Sequence, residues 1–151
     1  MKIYRAEKSS IEAVKKITYE TIKAVYPHYY PKGAVDFFLA HHREENILRD
    51  IEAGEVYLIN DGNTDTGTVT VNGNEINRLF VLPEFQGKGY GRRLMEFAEK
   101  LVAEKYDCAE LSASLSAKPK YLKNGYAETE YHIIDCENGD KLCFDYMKKK
   151  L

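Results

Sequence analysis

The hydrophobic pattern changes period along the chain. From Ile11 to Gly54 the apolar residues recur at helical spacing. Ile3 to Ala6 reads as a short first strand. Ser9-Ser10-Ile11-Glu12 then has the form of a capping box, opening a helix through Ile17, Ile22 and Val25 that Pro27 stops. A second helical stretch starts after Pro31-Lys32-Gly33, carries Val35, Phe38 and Leu39, and continues through Ile47, Leu48 and Ile51 to Gly54. From Glu55 the period becomes that of strands. Val56–Ile59, Thr66–Val71 and Ile76–Val81 are separated by Asp61-Gly62-Asn63 and Asn72-Gly73-Asn74, which predicts an antiparallel meander. Leu94, Phe97, Ala98, Leu101 and Val102 mark one face of a further helix, and Ala109 to Leu115 supplies another strand, so strand, helix and strand imply a parallel crossover. A short helix from about Ala117 ends at Asn124-Gly125, where Gly125 suits a left-handed cap. The tail from Tyr126 to Asp135 and from Leu142 to Met147 reads as a hairpin. The expected architecture is α/β (α+β), a mixed, mostly antiparallel central sheet flanked by helices. With no repeat, low-complexity tract or linker, residues 1–151 form one expected domain.

Composition narrows the function classes. A net charge of -2 and a pI near 6.1 leave no positive field to collect phosphate backbones or anionic lipid, so neither nucleic acid nor a membrane is an expected partner. The basic run Lys148–Lys150 at the end reads as a solvated tail. The first residues lack the apolar stretch of a signal peptide, and no apolar run is long enough to span a bilayer, which predicts a cytoplasmic protein. Cys108, Cys136 and Cys143 share no CxxC spacing, and neither a disulfide framework nor a metal site is expected, even if Cys136 and Cys143 approach each other on the hairpin.

The chemistry concentrates in one turn. The strand Glu75–Val81 runs through Pro83-Glu84-Phe85-Gln86-Gly87-Lys88-Gly89-Tyr90-Gly91-Arg92-Arg93 directly into the amphipathic helix. Glycine allows close approach of the backbone to a ligand, and the first turn of a helix leaves N–H groups without partners, so such a turn can cradle a phosphate. Lys88, Arg92 and Arg93 crowd a helix N-terminus, where the helix dipole disfavours cations by roughly 0.3–1 kcal/mol each and a bound pyrophosphate would reverse the sign. On the glycines alone, a tight structural turn carrying exposed basic residues fits as well. A Rossmann turn requires G-x-G-x-x-G after the first strand of a βαβ unit and a P-loop requires G-K-[ST]; neither matches.

Gln86-x-x-Gly89-x-Gly91 resembles the Q/R-x-x-G-x-G/A pyrophosphate motif of the GNAT superfamily of N-acetyltransferases. The resemblance extends back through Arg78 to Phe85 and forward through Met95. Downstream, Ala117 to Tyr126 is similar to that family's A-x-x-x-Y-x-x-x-G-[FY] segment. It implies acetyl-CoA as co-substrate, with the pantetheine arm lying between splayed strands against backbone groups of Leu79, Phe80 and Val81. It places the pyrophosphate on the backbone of Gln86, Gly87, Lys88, Gly89, Tyr90, Gly91 and Arg92. Many relatives carry Asn where this chain has Ser114, which implies a different contact to the pantetheine arm or to a water.

The implied activity is N-acetyl transfer to a primary amine by direct attack. Tyr121 matches the family's general acid, and a phenol near pKa 10 can protonate a thiolate; as a plain residue it would anchor the short helix. The general base stays open between Glu75, Glu110 and water. By strand alternation Glu75 shares a face with Asn77, Leu79 and Val81, while Glu110, Ser112 and Ser114 make a polar face on the next strand. The acceptor, a small-molecule amine or a peptide N-terminus, is expected near Tyr26–Pro31 and Phe37, Phe38, His41 and His42, a set that an aromatic helix interface explains equally well. His41 and His42 are adjacent rather than at i, i+4, against a metal pair. A homodimer is compatible with the sequence, as is a domain of the same fold that holds CoA as a sensor or scaffold without turnover.

Overall fold

Alternation along the strands sorts side chains to the two sides of one sheet. In the computed structural model, which describes residues 1–151, Val56 and Leu58 of β2 (Val56–Asn60) enter one core cluster while Tyr57 and Ile59 enter the other. The sheet adds β1 (Lys2–Arg5), β3 (Asp65–Asn72), β4 (Glu75–Val81), β5 (Cys108–Ala113), β6 (Ala127–Asp135) and β7 (Lys141–Lys150), in the order β1-β2-β3-β4-β5-β7-β6. Only the β4–β5 pair is parallel; the others are antiparallel. On one face lie α1 (Ile11–Val25), α2 (Lys32–His41) and α3 (Glu44–Glu52). The other face is covered by α4 (Tyr90–Ala103), the crossover between β4 and β5, with α5 (Lys118–Lys123) beyond β5. No helix is long and apolar enough to cross a membrane.

Three local readings are corrected. The chain enters α1 through a 3-10 turn at Lys8–Ser10, in which the Ser10 hydroxyl accepts the Glu7 N–H at 3.1 Å; Ser9 does not cap the helix, and Glu12 pairs with Lys15 instead. The second helical stretch is two helices, broken where Arg43 takes an extended conformation (φ -64, ψ 160). The break turns His42 into the core, the Asn46 side chain donates to the His41 carbonyl, and Glu44 and Glu45 supply the acidic first turn of α3. The third is the face of Glu75. Thr70 pairs with Asn77 but Thr68 with Phe80, so two residues of β4 oppose one of β3: a β-bulge centred on Arg78, whose φ is +46. Beyond the bulge the alternation is inverted. Ile76 and Val81 enter the cluster beneath α4 with Leu79 packed on it, and Phe80 enters the opposite cluster. Glu75 therefore does not share a face with Leu79 and Val81.

Two fastenings hold α2 over the sheet. The Tyr30 hydroxyl donates to the Cys143 carbonyl (2.9 Å) and accepts the Leu115 N–H (2.8 Å), tying the α1–α2 connection to β7 and the end of β5. At the start of α2 the Gly33 N–H donates to Asp140 Oδ2 at 2.7 Å, capping the helix from the β6–β7 turn, and a Cβ on Gly33 would lie only 2.6 Å from that oxygen. The hairpin pairs Cys143 with Ile133 and leaves Cys136 beyond its end; all three cysteines are free thiols.

Candidate active site

Strands β4 and β5 meet at one bridge, Glu75 opposite Glu110, supported by the Glu110 N–H donating to the Asn74 carbonyl at 2.9 Å. From there they part. The gap opens into a cavity of about 370 Å³ on the α1–α3 side of the sheet. Leu79 and Phe80 line it from β4, Ser112 and Ser114 from the β5 side, and Tyr121 from α5. Val81 does not. Its side chain packs under α4, and its carbonyl accepts both the Gln86 side-chain amide (2.9 Å) and the Thr21 hydroxyl (3.2 Å). Gln86 thus spends its side chain fastening the turn to β4, leaving its backbone for other work.

The turn itself is shaped by two glycines with positive φ, Gly87 at +76 and Gly89 at +92, conformations that side chains rarely tolerate. A Cβ at either would meet nothing within 4 Å, so the space above the turn is open. Gly91 is different. It lies inside α4, where a Cβ would make only an ordinary contact of 3.7 Å with Val81, so neither backbone nor packing requires glycine there. Helix α4 has no side-chain cap, and the first intrahelical bond runs from the Arg93 N–H to the Gly89 carbonyl. The N–H groups of Tyr90, Gly91 and Arg92 therefore lack intrahelical partners. Lys88 stands over the Phe85 ring at 5.4 Å, and the exposed Arg92 reaches Glu96 at 3.3 Å. A helix end with free donors, flanking cations and open space can hold an anionic group.

Tyr121 is presented by α5, which Lys118 fastens to β7 through Asp145 at 2.8 Å. Burial, then the neighbouring Tyr26, pushes the Tyr121 phenol well above its ordinary range, so it is protonated at neutral pH. Burial likewise moves Tyr26 up to about 12, with the Ser114 hydroxyl pulling the other way. Ser114, which is buried, bonds to the Ser116 hydroxyl at 2.9 Å. Of the two carboxylates weighed as base, Glu110 is paired with Lys148 at 3.0 Å, whereas Glu75 is exposed at the cavity mouth.

Two features were not read from the sequence. The first is the group that holds the bulge. The buried Arg78 guanidinium donates to His42 Nδ1 (3.2 Å), Thr70 Oγ1 (3.1 Å) and Asp50 Oδ2 (3.0 Å), joining β4 to α3, β3 and the α2–α3 break. Burial first, and then Arg78 and His41, lower the His42 pKa to about 3, so its ring is neutral and accepts from Arg78. Because that nitrogen is engaged, His42 is no free ligand. Nothing in the local pattern around Arg78 distinguishes it from a solvated strand residue. The second is the wall that β7 contributes through Leu142, Phe144 and Tyr146. Here a signal existed, since these three residues alternate onto one face.

No curated protein matches the sequence. Among solved structures, the chain is similar to a GCN5-related N-acetyltransferase from Rhodopseudomonas palustris, with a TM-score of 0.88 at 20% identity over 99% of this chain and 95% of that one. It is also similar to the PaiA N-acetyltransferase from Thermoplasma acidophilum, solved with coenzyme A (TM-score 0.73, 20% identity, 99% and 98% covered). A third is YncA, a putative acetyltransferase from Salmonella typhimurium solved with acetyl-CoA (TM-score 0.75, 18% identity, 100% and 94% covered). At these identities the likeness is one of fold. The family follows from the sequence model of the acetyltransferase (GNAT) domain, which matches residues 35–128, well over half the chain and inclusive of the turn, the bulge and Tyr121. The chain belongs to the GNAT acetyltransferase family.

Proposed function

We propose that this chain transfers the acetyl group of acetyl-CoA to a primary amine by direct attack. The observation that carries the reading is the parting of β4 from β5 beside an uncapped α4 N-terminus, with a protonated phenol facing the same gap. The pyrophosphate of the co-substrate lies on the N–H groups of Tyr90, Gly91 and Arg92 and on the turn from Gln86 to Gly89. The pantetheine arm enters the gap along Leu79 and Phe80, with Ser114 on the opposite side. The acceptor arrives as an ammonium ion at the cavity mouth and gives up a proton to Glu75, directly or through water. Its nitrogen attacks the thioester carbonyl carbon, the resulting adduct loses its second N–H proton to water, the C–S bond breaks, and the departing thiolate takes the Tyr121 proton. Of the two protons lost by nitrogen, one restores Tyr121 through solvent and the other is released, so the products are an amide, CoA and one proton. Raised by its burial, the phenol is a weaker acid than in water, so it donates only as negative charge develops on sulfur.

Calorimetry of the purified chain with acetyl-CoA, followed by measurement of CoA release on adding an amine, tests this reading. Saturable binding and amine-dependent release of CoA are expected. An absence of binding at millimolar acetyl-CoA would overturn it.

A further inference from the structure

On the proposed reading the cavity holds the thioester end of the pantetheine arm along Leu79, Phe80 and Ser114, and the lining beyond those residues is not neutral about what fills the remainder. Its roughly 370 Å³ sits at the lower end of the 300–1,000 Å³ typical of small-molecule sites. Rings form about half of the wall. Tyr26 and Phe38 meet edge to face at 4.6 Å, Phe37 and His41 lie parallel at 6.3 Å, and Phe144 lies against His132 at 5.3 Å. Charge is scarce. Arg78 is already matched by Asp50 and bonded to His42 and Thr70, leaving no free cation. Glu75 at the mouth is the single lining carboxylate.

Resting on the acetyl-transfer reading, we propose that the acceptor is a small primary amine with one positive charge, carried on an aromatic or similarly apolar body. The ammonium group meets Glu75, and the body enters the ring-lined chamber between Phe37, Phe38 and Phe144. A polyamine fits poorly, because its second ammonium has no free carboxylate in the chamber. The neighbouring acids Glu110 and Glu130 lie outside it, in half-exposed pairs with Lys148 and His132 at 3.0 Å each, so an ammonium that reached them would compete with those partners and leave the ring-lined chamber unfilled. An unpaired charge among rings loses its hydration and recovers only part of that loss from the ring faces. Phe37 is the specificity-determining residue on this view: it stands at the open side of the wall with 38% of its surface exposed, so it can be truncated without opening the core.

The test is CoA release with 2-phenylethylamine, ethylamine and spermidine as acceptors. The expected kcat/KM for 2-phenylethylamine exceeds that for either of the others by roughly a hundredfold or more, since even one methylene in an apolar pocket can be worth tenfold or more. Phe37→Ala is expected to shrink the 2-phenylethylamine to ethylamine ratio about tenfold. Spermidine used as well as or better than 2-phenylethylamine would overturn the acceptor class and leave acetyl transfer standing, and so would a ratio indifferent to Phe37→Ala. CoA release with none of the three would overturn the acceptor class, and absent acetyl-CoA binding would overturn the transfer reading beneath it.

Discussion

At the scale of single residues, the site depends on side chains whose surroundings decide what they do. Tyr121 is the clearest case, because a phenyl ring in its place would keep the packing against Tyr126 (ring centroids 5.7 Å apart) and lose only the proton. Tyr121→Phe is therefore expected to leave acetyl-CoA affinity and thermal stability near those of the parent while lowering the single-turnover rate about 10²–10⁴-fold. A parental single-turnover rate would mean that solvent protonates the thiolate. Arg78 shows the opposite dependence. Left-handed backbone conformations are uncommon for residues other than glycine, and this one is secured by three hydrogen bonds from a buried guanidinium. From the sequence, Tyr121 was legible because a spaced motif surrounds it. Arg78 was not, because its partners lie 8 to 36 residues away and meet only after folding.

Among the elements, the start of α4 carries the sharpest contrast, since the glycines of the turn before it and the one inside it answer to different demands. Gly89 needs its positive φ, whereas Gly91 is an ordinary helical position with room for a side chain. Gly89→Val is expected to lower the melting temperature and disturb binding together. Gly91→Val is expected to stay folded with little change in melting temperature, because valine is no worse than glycine inside a helix, yet to lose acetyl-CoA binding measurably by calorimetry. Parental affinity in folded Gly91→Val would show that the helix N-terminus is not the phosphate seat. The strands and helices themselves were largely visible in the hydrophobic period, and β4, α4 and α5 fall close to where that period placed them. What escaped was irregularity. The α2–α3 break and the β4 bulge are joined by the hydrogen bond from Arg78 to His42, and a periodic reading has no way to register a contact between residues so far apart in sequence. The bulge then inverted the inferred face of Leu79 and Val81, an error of one residue propagated to every position after it.

Over the whole molecule, buried charge chemistry sets how stability follows pH. The unfolded chain takes up a proton on His42 below its ordinary pKa of about 6.5, but the native ring resists protonation down to about 3. Between those values the unfolded state binds the extra proton, so native stability falls as pH falls, by up to about 1.4 kcal/mol per pH unit from this one group. His42→Asn retains an acceptor for Arg78 and cannot titrate. Urea unfolding midpoints followed from pH 6.5 to pH 4 are expected to decline less steeply in that variant, and identical slopes would assign the pH dependence to other groups. The parting of β4 from β5 also has a mechanical meaning. With one bridge between them, the seven strands form two hydrogen-bonded ladders, β1–β4 and β5-β7-β6, held together across the seam by shared core, with Leu111 and Met147 in one cluster with Val69 and Ile76, and by side-chain bolts such as Tyr30. On the proposed reading the co-substrate is the missing strand at that seam. A ligand that bridges the seam only in the folded protein would tighten it, and the level of acetyl-CoA would then set how firmly the two ladders are held together.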